Sequence, residues 1–111
     1  MFVPCEADYS YELKSGKSEE SARGIRAMRG DDLEGAMQFF KAARAKDAED
    51  HRTVFAMGVT CELMKNCDDA LKYYRQACGM PGLDAEDQAM YLAAKNRVAD
   101  HKDRIRKAAK K

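Results

Sequence analysis

Gly24 and Gly58 lie 34 residues apart, and the small and aromatic residues that follow each of them keep the same spacing. Ala36 returns as Ala70 and Ala43 as Ala77, while Phe39 and Phe40 return as Tyr73 and Tyr74. Laying residues 17–50 over 51–84 also matches Ala22 with Ala56 and Asp50 with Asp84, with conservative exchanges at Ile25/Val59, Met37/Leu71 and Lys41/Arg75. Chance scatters its matches; these fall on small, aromatic and capping positions. A chain repeating at this interval is expected to stack one structural unit on its copy.

The spacing has a mechanical reading. Gly or Ala lets two helices approach closely, and an aromatic four residues after an Ala lies on the same helical face. Each unit therefore reads as a helix pair. Gly24 followed by Ala36-x3-Phe40-x2-Ala43, and Gly58 followed by Ala70-x3-Tyr74-x2-Ala77, resemble the tetratricopeptide repeat. The resemblance covers residues 17–84 and implies an all-α fold: a short superhelix of two repeats (17–50 and 51–84), a capping helix (85–108) and a basic tail to Lys111, preceded by an irregular arm over residues 1–16. The chain departs from the family pattern at the Trp slot (Glu20 and Val54), the Leu slot (Arg23 and Met57), the Tyr slot (Ala27 and Cys61) and the closing Pro slot (Ala48 and Gly82). Glu20 and Arg23 suit the pattern only if their helix is an exposed end.

Composition bounds the function classes. With 111 residues, 45% apolar and 35% charged, the chain suits one domain with one core. A formal charge of +1 gives the whole molecule no electrostatic case for polyanions. The four cysteines, Cys5, Cys61, Cys67 and Cys78, lack C-x2-C spacing, which argues against structural zinc, and no cofactor motif is present. A reducing, cytoplasmic setting is the simplest account of them, with a Cys61–Cys67 bridge as an alternative. The longest apolar run, Val54–Cys61, is too short to span a bilayer.

Along the chain, residues 1–16 carry Pro4 and Gly16 without a helical period, and Tyr9, Tyr11 and Leu13 alternate with polar residues in a strand-like rhythm. Five apolar pegs (Phe2, Val3, Tyr9, Tyr11, Leu13) predict docking across the helices rather than a solvated tail. Helices are predicted from about Ser18 to Arg29, stopped by Gly30, and from Asp31 or Asp32 to Lys46, with Asp31 and Glu34 at capping-box spacing. A third is capped by Asp50 and reaches Met64, and a fourth is capped by Asn66 or Asp68 and reaches Cys78. After the turn at residues 79–82, a last helix runs from Ala85 to Lys107. Its stripe of Tyr91, Ala94, Val98, His101 and Ile105 covers the second unit, and its outer face carries Lys95, Arg97, Lys102, Asp103 and Arg106.

The resemblance implies a concave groove lined by the first helix of each unit. Counting along the repeat places Ile25, Met28 and Arg29 there from the first unit, Arg52, Phe55, Val59 and Glu62 from the second, and Met90 and Arg97 from the last helix, with Phe55 at the centre. Aromatic, Met and Arg residues are enriched at interface centres, so the expected function is non-enzymatic binding of a peptide or helix. The carboxylate-clamp positions of some family members hold Ser21, Ile25, Ala56, Glu86 and Met90, so that function is not carried over. A homo-oligomer formed through repeat ends and the arm is the alternative, because two units fall below the usual three. Nucleic-acid contact through the basic tail is a lesser one, since the tail lacks aromatics for base stacking. His51 and His101 have no nucleophile motif nearby, and Asp31-Asp32, Glu49-Asp50 and Asp68-Asp69 read as helix starts rather than catalytic carboxylates.

Overall fold

Five helices follow one another along residues 18–109, the part of the chain that the computed structural model describes. They are α1 (Glu19–Arg29), α2 (Leu33–Lys46), α3 (His51–Leu63), α4 (Cys67–Cys78) and α5 (Ala85–Ala109). The expected arm over residues 1–16, its strand-like rhythm and the last two lysines lie outside the described residues. No strand occurs among the described residues. Each helix packs on the next in order, and α1 also touches α3 lightly.

The turns that join the helices within each pair are copies of one another. In the first, the Asp32 N–H donates to the Ala27 carbonyl (2.9 Å) and the Asp31 N–H to that of Met28 (3.0 Å). In the second, the Asn66 N–H donates to Cys61 (2.8 Å) and the Lys65 N–H to Glu62 (2.9 Å). This pair of bonds, the Schellman arrangement, satisfies the last carbonyls of a helix and requires one left-handed residue. That residue is Asp31 (φ 67°) in one turn and Lys65 (φ 65°) in the other, again 34 positions apart. Gly30, expected to stop α1 through glycine's freedom, has an ordinary φ of −85°.

Helix starts follow the same plan. The Asp32 carboxylate accepts from the Gly35 N–H (3.0 Å), and the Asn66 side-chain oxygen accepts from the Asp69 N–H (3.3 Å). The Asp31–Glu34 capping box expected from the sequence does not form, because Asp31 occupies the left-handed turn position and Asp32 becomes the cap. Ser18 and Asp84 cap α1 and α5 by accepting from the N–H groups of Ser21 (3.2 Å) and Asp87 (2.7 Å).

Close approach inside each pair rests on its glycine. A Cβ at Gly24 would sit 2.6 Å from Phe40 Cδ1, and one at Gly58 would sit 2.6 Å from Tyr74 Cδ1. Both rings are fully buried, as are Ala36, Ala70 and Ala77, and they join Val54, Met57, Tyr91, Ala94 and Val98 in one core. Burying such apolar groups is the main favourable term in folding.

Candidate functional site

The face of interest lies across α1, α3 and α5, and α3 sets its geometry. Gly58 points at Tyr74 of α4. About two fifths of a turn away, Thr53 and Thr60 face α1: the Thr53 hydroxyl donates to Ser21 Oγ (3.2 Å) and the Thr60 hydroxyl lies 3.5 Å from Met28 Sδ. On the other flank, Phe55 and Glu62 face α5. The Phe55 ring stacks on Tyr91 with centroids 4.3 Å apart and tilts against Tyr74 at 5.2 Å.

Glu62 is fully buried and accepts from the Tyr74 hydroxyl (2.7 Å) and from Arg97 Nη2 (2.7 Å), while Arg97 Nη1 closes the second arm of a fork. A buried carboxylate persists only when its lone pairs are satisfied in this way. The fork ties α5 to α3. Beside it, the Tyr91 hydroxyl and His51 Nδ1 are 2.9 Å apart, and burial pushes the Tyr91 hydroxyl above its ordinary pKa. Arg52 lies 3.9 Å from the nearly buried Asp87 carboxylate.

These contacts redraw the expected groove. Phe55, placed at its centre by the sequence, is a core residue 1% exposed. Its ring is covered by Tyr91, a residue the sequence assigned only to the capping stripe. Ile25, Met28, Val59 and Glu62 are buried as well. Arg97 turns inward to Glu62 instead of lying on the outer face of α5, and Arg52 leans on Asp87. Arg29 is exposed and Met90 half-buried, next to exposed Glu86 and Ala93. The capping stripe is present in Tyr91, Ala94 and Val98, with His101 half-buried; the Ile105 side chain lies outside the described residues.

The Glu62–Tyr74–Arg97 network escaped the sequence reading, because nothing in a spacing of 35 residues singles out one arginine among the many in this chain. Only the Tyr at position 74, where the first unit has Phe40, hints that a buried polar partner is needed.

Elsewhere, an open cleft of about 470 Å³ is lined by Asp31, Asp32, Leu33, Glu34 and Met64, at the edge formed by the two copied turns. Among the described residues no group of three His, Cys, Asp or Glu side chains is placed to hold a metal ion. The cysteines differ in state: Cys61 and Cys78 are free thiols, whereas Cys67 is disulfide-bonded. The alternative Cys61–Cys67 bridge is therefore ruled out, and uniformly reduced cysteines do not describe this fold. Burial pushes the Cys61 thiol up to about 11, so it is protonated and unreactive at neutral pH. No described helix is long and apolar enough to cross a membrane.

A scan against family models, a search of curated proteins and a search of solved structures each find no match to this chain.

Proposed function

We propose that this chain is a non-enzymatic protein-interaction module built as a short tetratricopeptide-like stack, two helix pairs closed by α5. One observation carries the reading: the glycine–aromatic contact, the left-handed turn residue and both Schellman bonds recur at an interval of 34 residues. A stack of this kind offers a face across its first helices to a bound polypeptide segment. In this chain the accessible part of that face is Arg29 on α1 and Glu86, Met90 and Ala93 on α5. Its apolar centre with charged ends suits a short peptide with one or two apolar anchors.

Panning a random-peptide display library against the full chain tests this. The expected result is enrichment of such peptides, whose binding shifts the amide resonances of Arg29, Met90 and Ala93 and leaves Lys41 and Lys72, exposed on α2 and α4, unchanged. No enrichment, or shifts confined to Lys41 and Lys72, sinks the reading.

A second reading, self-association, is favoured by Leu92. It stands 34 residues after Gly58 and is 44% exposed on α5, and no helix follows α5 among the described residues to cover it. Sedimentation equilibrium of the parent and of Leu92→Lys decides: a dimer lost in the variant supports it, and a monomeric parent removes it.

A further inference from the structure

Each first helix turns one side towards its own second helix. On α1 and α3 that side carries Gly24 and Gly58, which Phe40 of α2 and Tyr74 of α4 cover. Leu92 occupies the matched place on α5, and no helix follows α5 among the described residues. This side of α5 runs through Ala85, Gln88, Ala89, Leu92 and Asn96, at the three- and four-residue steps of one helical face. All five are exposed. None carries a charge, although α5 as a whole is rich in charged residues. Loss of charge around a large apolar side chain, here Leu92, is the composition of an interface centre rather than of an ordinary solvated face.

The charges beside this row point to what it meets. Glu86 and Arg104 are both exposed, and neither makes an ion pair among the described residues. They lie 18 residues apart, which is five full turns, so both stand on the same flank of the row. That flank is negative at one end and positive at the other. A second α5 laid antiparallel, with the two-fold axis level with Lys95 midway between them, sets each Glu86 opposite the other copy's Arg104. The same axis seats each Leu92 between Asn96 and Ala99 of the other copy, two uncharged side chains. A parallel copy would oppose Glu86 to Glu86 and Arg104 to Arg104, and flanking charges of this kind set the direction of paired helices. Lys95 itself lies on the opposite flank, half-buried beside Cys78 of α4, which keeps its charge off the seam.

We propose that two copies of this chain pair through α5 in antiparallel, with Leu92 in the seam and a Glu86–Arg104 ion pair at each end. The inference rests on the self-association reading and adds to it the face, the direction of the helices and the charges that select them.

Sedimentation equilibrium of the full chain at low ionic strength, where exposed charges are least screened, tests this. Glu86→Lys and Arg104→Glu each turn two attractive contacts into repulsive ones, and each should weaken the dimer by about tenfold. The double variant restores opposite charges with their signs exchanged and should recover most of the affinity. Both side chains are exposed, so all three variants should keep the helical circular dichroism of the parent. A monomeric parent, or a dimer indifferent to Leu92→Lys, removes the self-association reading and the pairing together. A dimer that Leu92→Lys dissolves but the single charge reversals leave intact keeps that reading and overturns the antiparallel pairing. A double variant no tighter than the single ones overturns the pairing in the same way.

Discussion

The α1–α2 pair and the α3–α4 pair share their turn and their glycine–aromatic contact, yet the first helices differ at three matched positions. Val54, Met57 and Cys61 of α3 are all buried. Their counterparts on α1 are half-buried Glu20, exposed Arg23 and half-buried Ala27. The difference follows from place in the stack: α3 lies between α2 and α4, whereas α1 packs against α2 alone apart from a light contact with α3. The charged residues of α1 find surface partners, Arg23 with Glu19 (2.9 Å) and Lys46 with Glu20 (2.8 Å), and the Lys46 hydrogen bond holds the Glu20 carboxyl below its ordinary pKa. The lesson is that repeat position sets backbone geometry, while neighbours set polarity.

That comparison breaks most sharply at Val54. Val54→Glu installs in α3 the residue that α1 carries at the matched position, and burying an unpaired carboxylate there should cost about 4 kcal/mol or more. Loss of the cooperative thermal transition is the expected outcome; a melting point within about 5 °C of the parent would make the two sites equivalent.

Next comes the fastening of α5, which has no counterpart between α1 and α3, where Met28 meets Thr60 in place of a buried charge. Arg97→Met removes the charged partner of Glu62 and should lower stability by about 3 kcal/mol in urea unfolding, with most of the loss recovered when Glu62→Met is added. Additive losses would show that the two side chains act independently.

Glycine substitutions sharpen the shared part of the comparison. Gly24→Ala and Gly58→Ala should each cost about 2 kcal/mol, since moving a buried ring outweighs the roughly 1 kcal/mol that alanine gains in a helix. Gly58→Ala should be the worse, because the Ala70 carbonyl oxygen also stands 3.3 Å from the new Cβ. A stabilised Gly24→Ala chain would mean the first pair is looser than the second.

Cys61 gives a smaller effect with a defined sign. Its thiol titrates near 9 when unfolded and at about 11 when buried, so the folded state holds the proton longer. The stability this contributes is complete below pH 9 and falls as pH rises towards 11, by up to about 2 kcal/mol. Chemical denaturation at pH 8 and pH 10.5 should show that slope, and Cys61→Ala should flatten it. Smallest of all is Glu20→Val, whose melt should overlay that of the parent, because the pair with Lys46 lies at the surface.

Much of this fold was legible in the chain. The interval of 34 located both helix pairs, and the expected boundaries fall close to those observed, because glycine, alanine and aromatic side chains are fixed by close packing wherever they occur. The docking face was less legible. Counting along the repeat puts Ile25, Val59 and Phe55 on a groove, but the count cannot say what covers a position, and Phe55 lies beneath Tyr91. Charge favours solvent, which turns Arg97 outward on a sequence reading, until a buried carboxylate on a distant helix outweighs that preference.

By itself, the sequence determined the all-helical architecture and the recurrence of its unit, since propensity, capping and steric fit act over a few residues. Tertiary structure alone decided that α3 is enclosed on all sides while α1 remains an end, and that Glu62, Tyr74 and Arg97 meet. Those outcomes depend on which helices become neighbours in space, and burial and charge pairing take their magnitude from that neighbourhood.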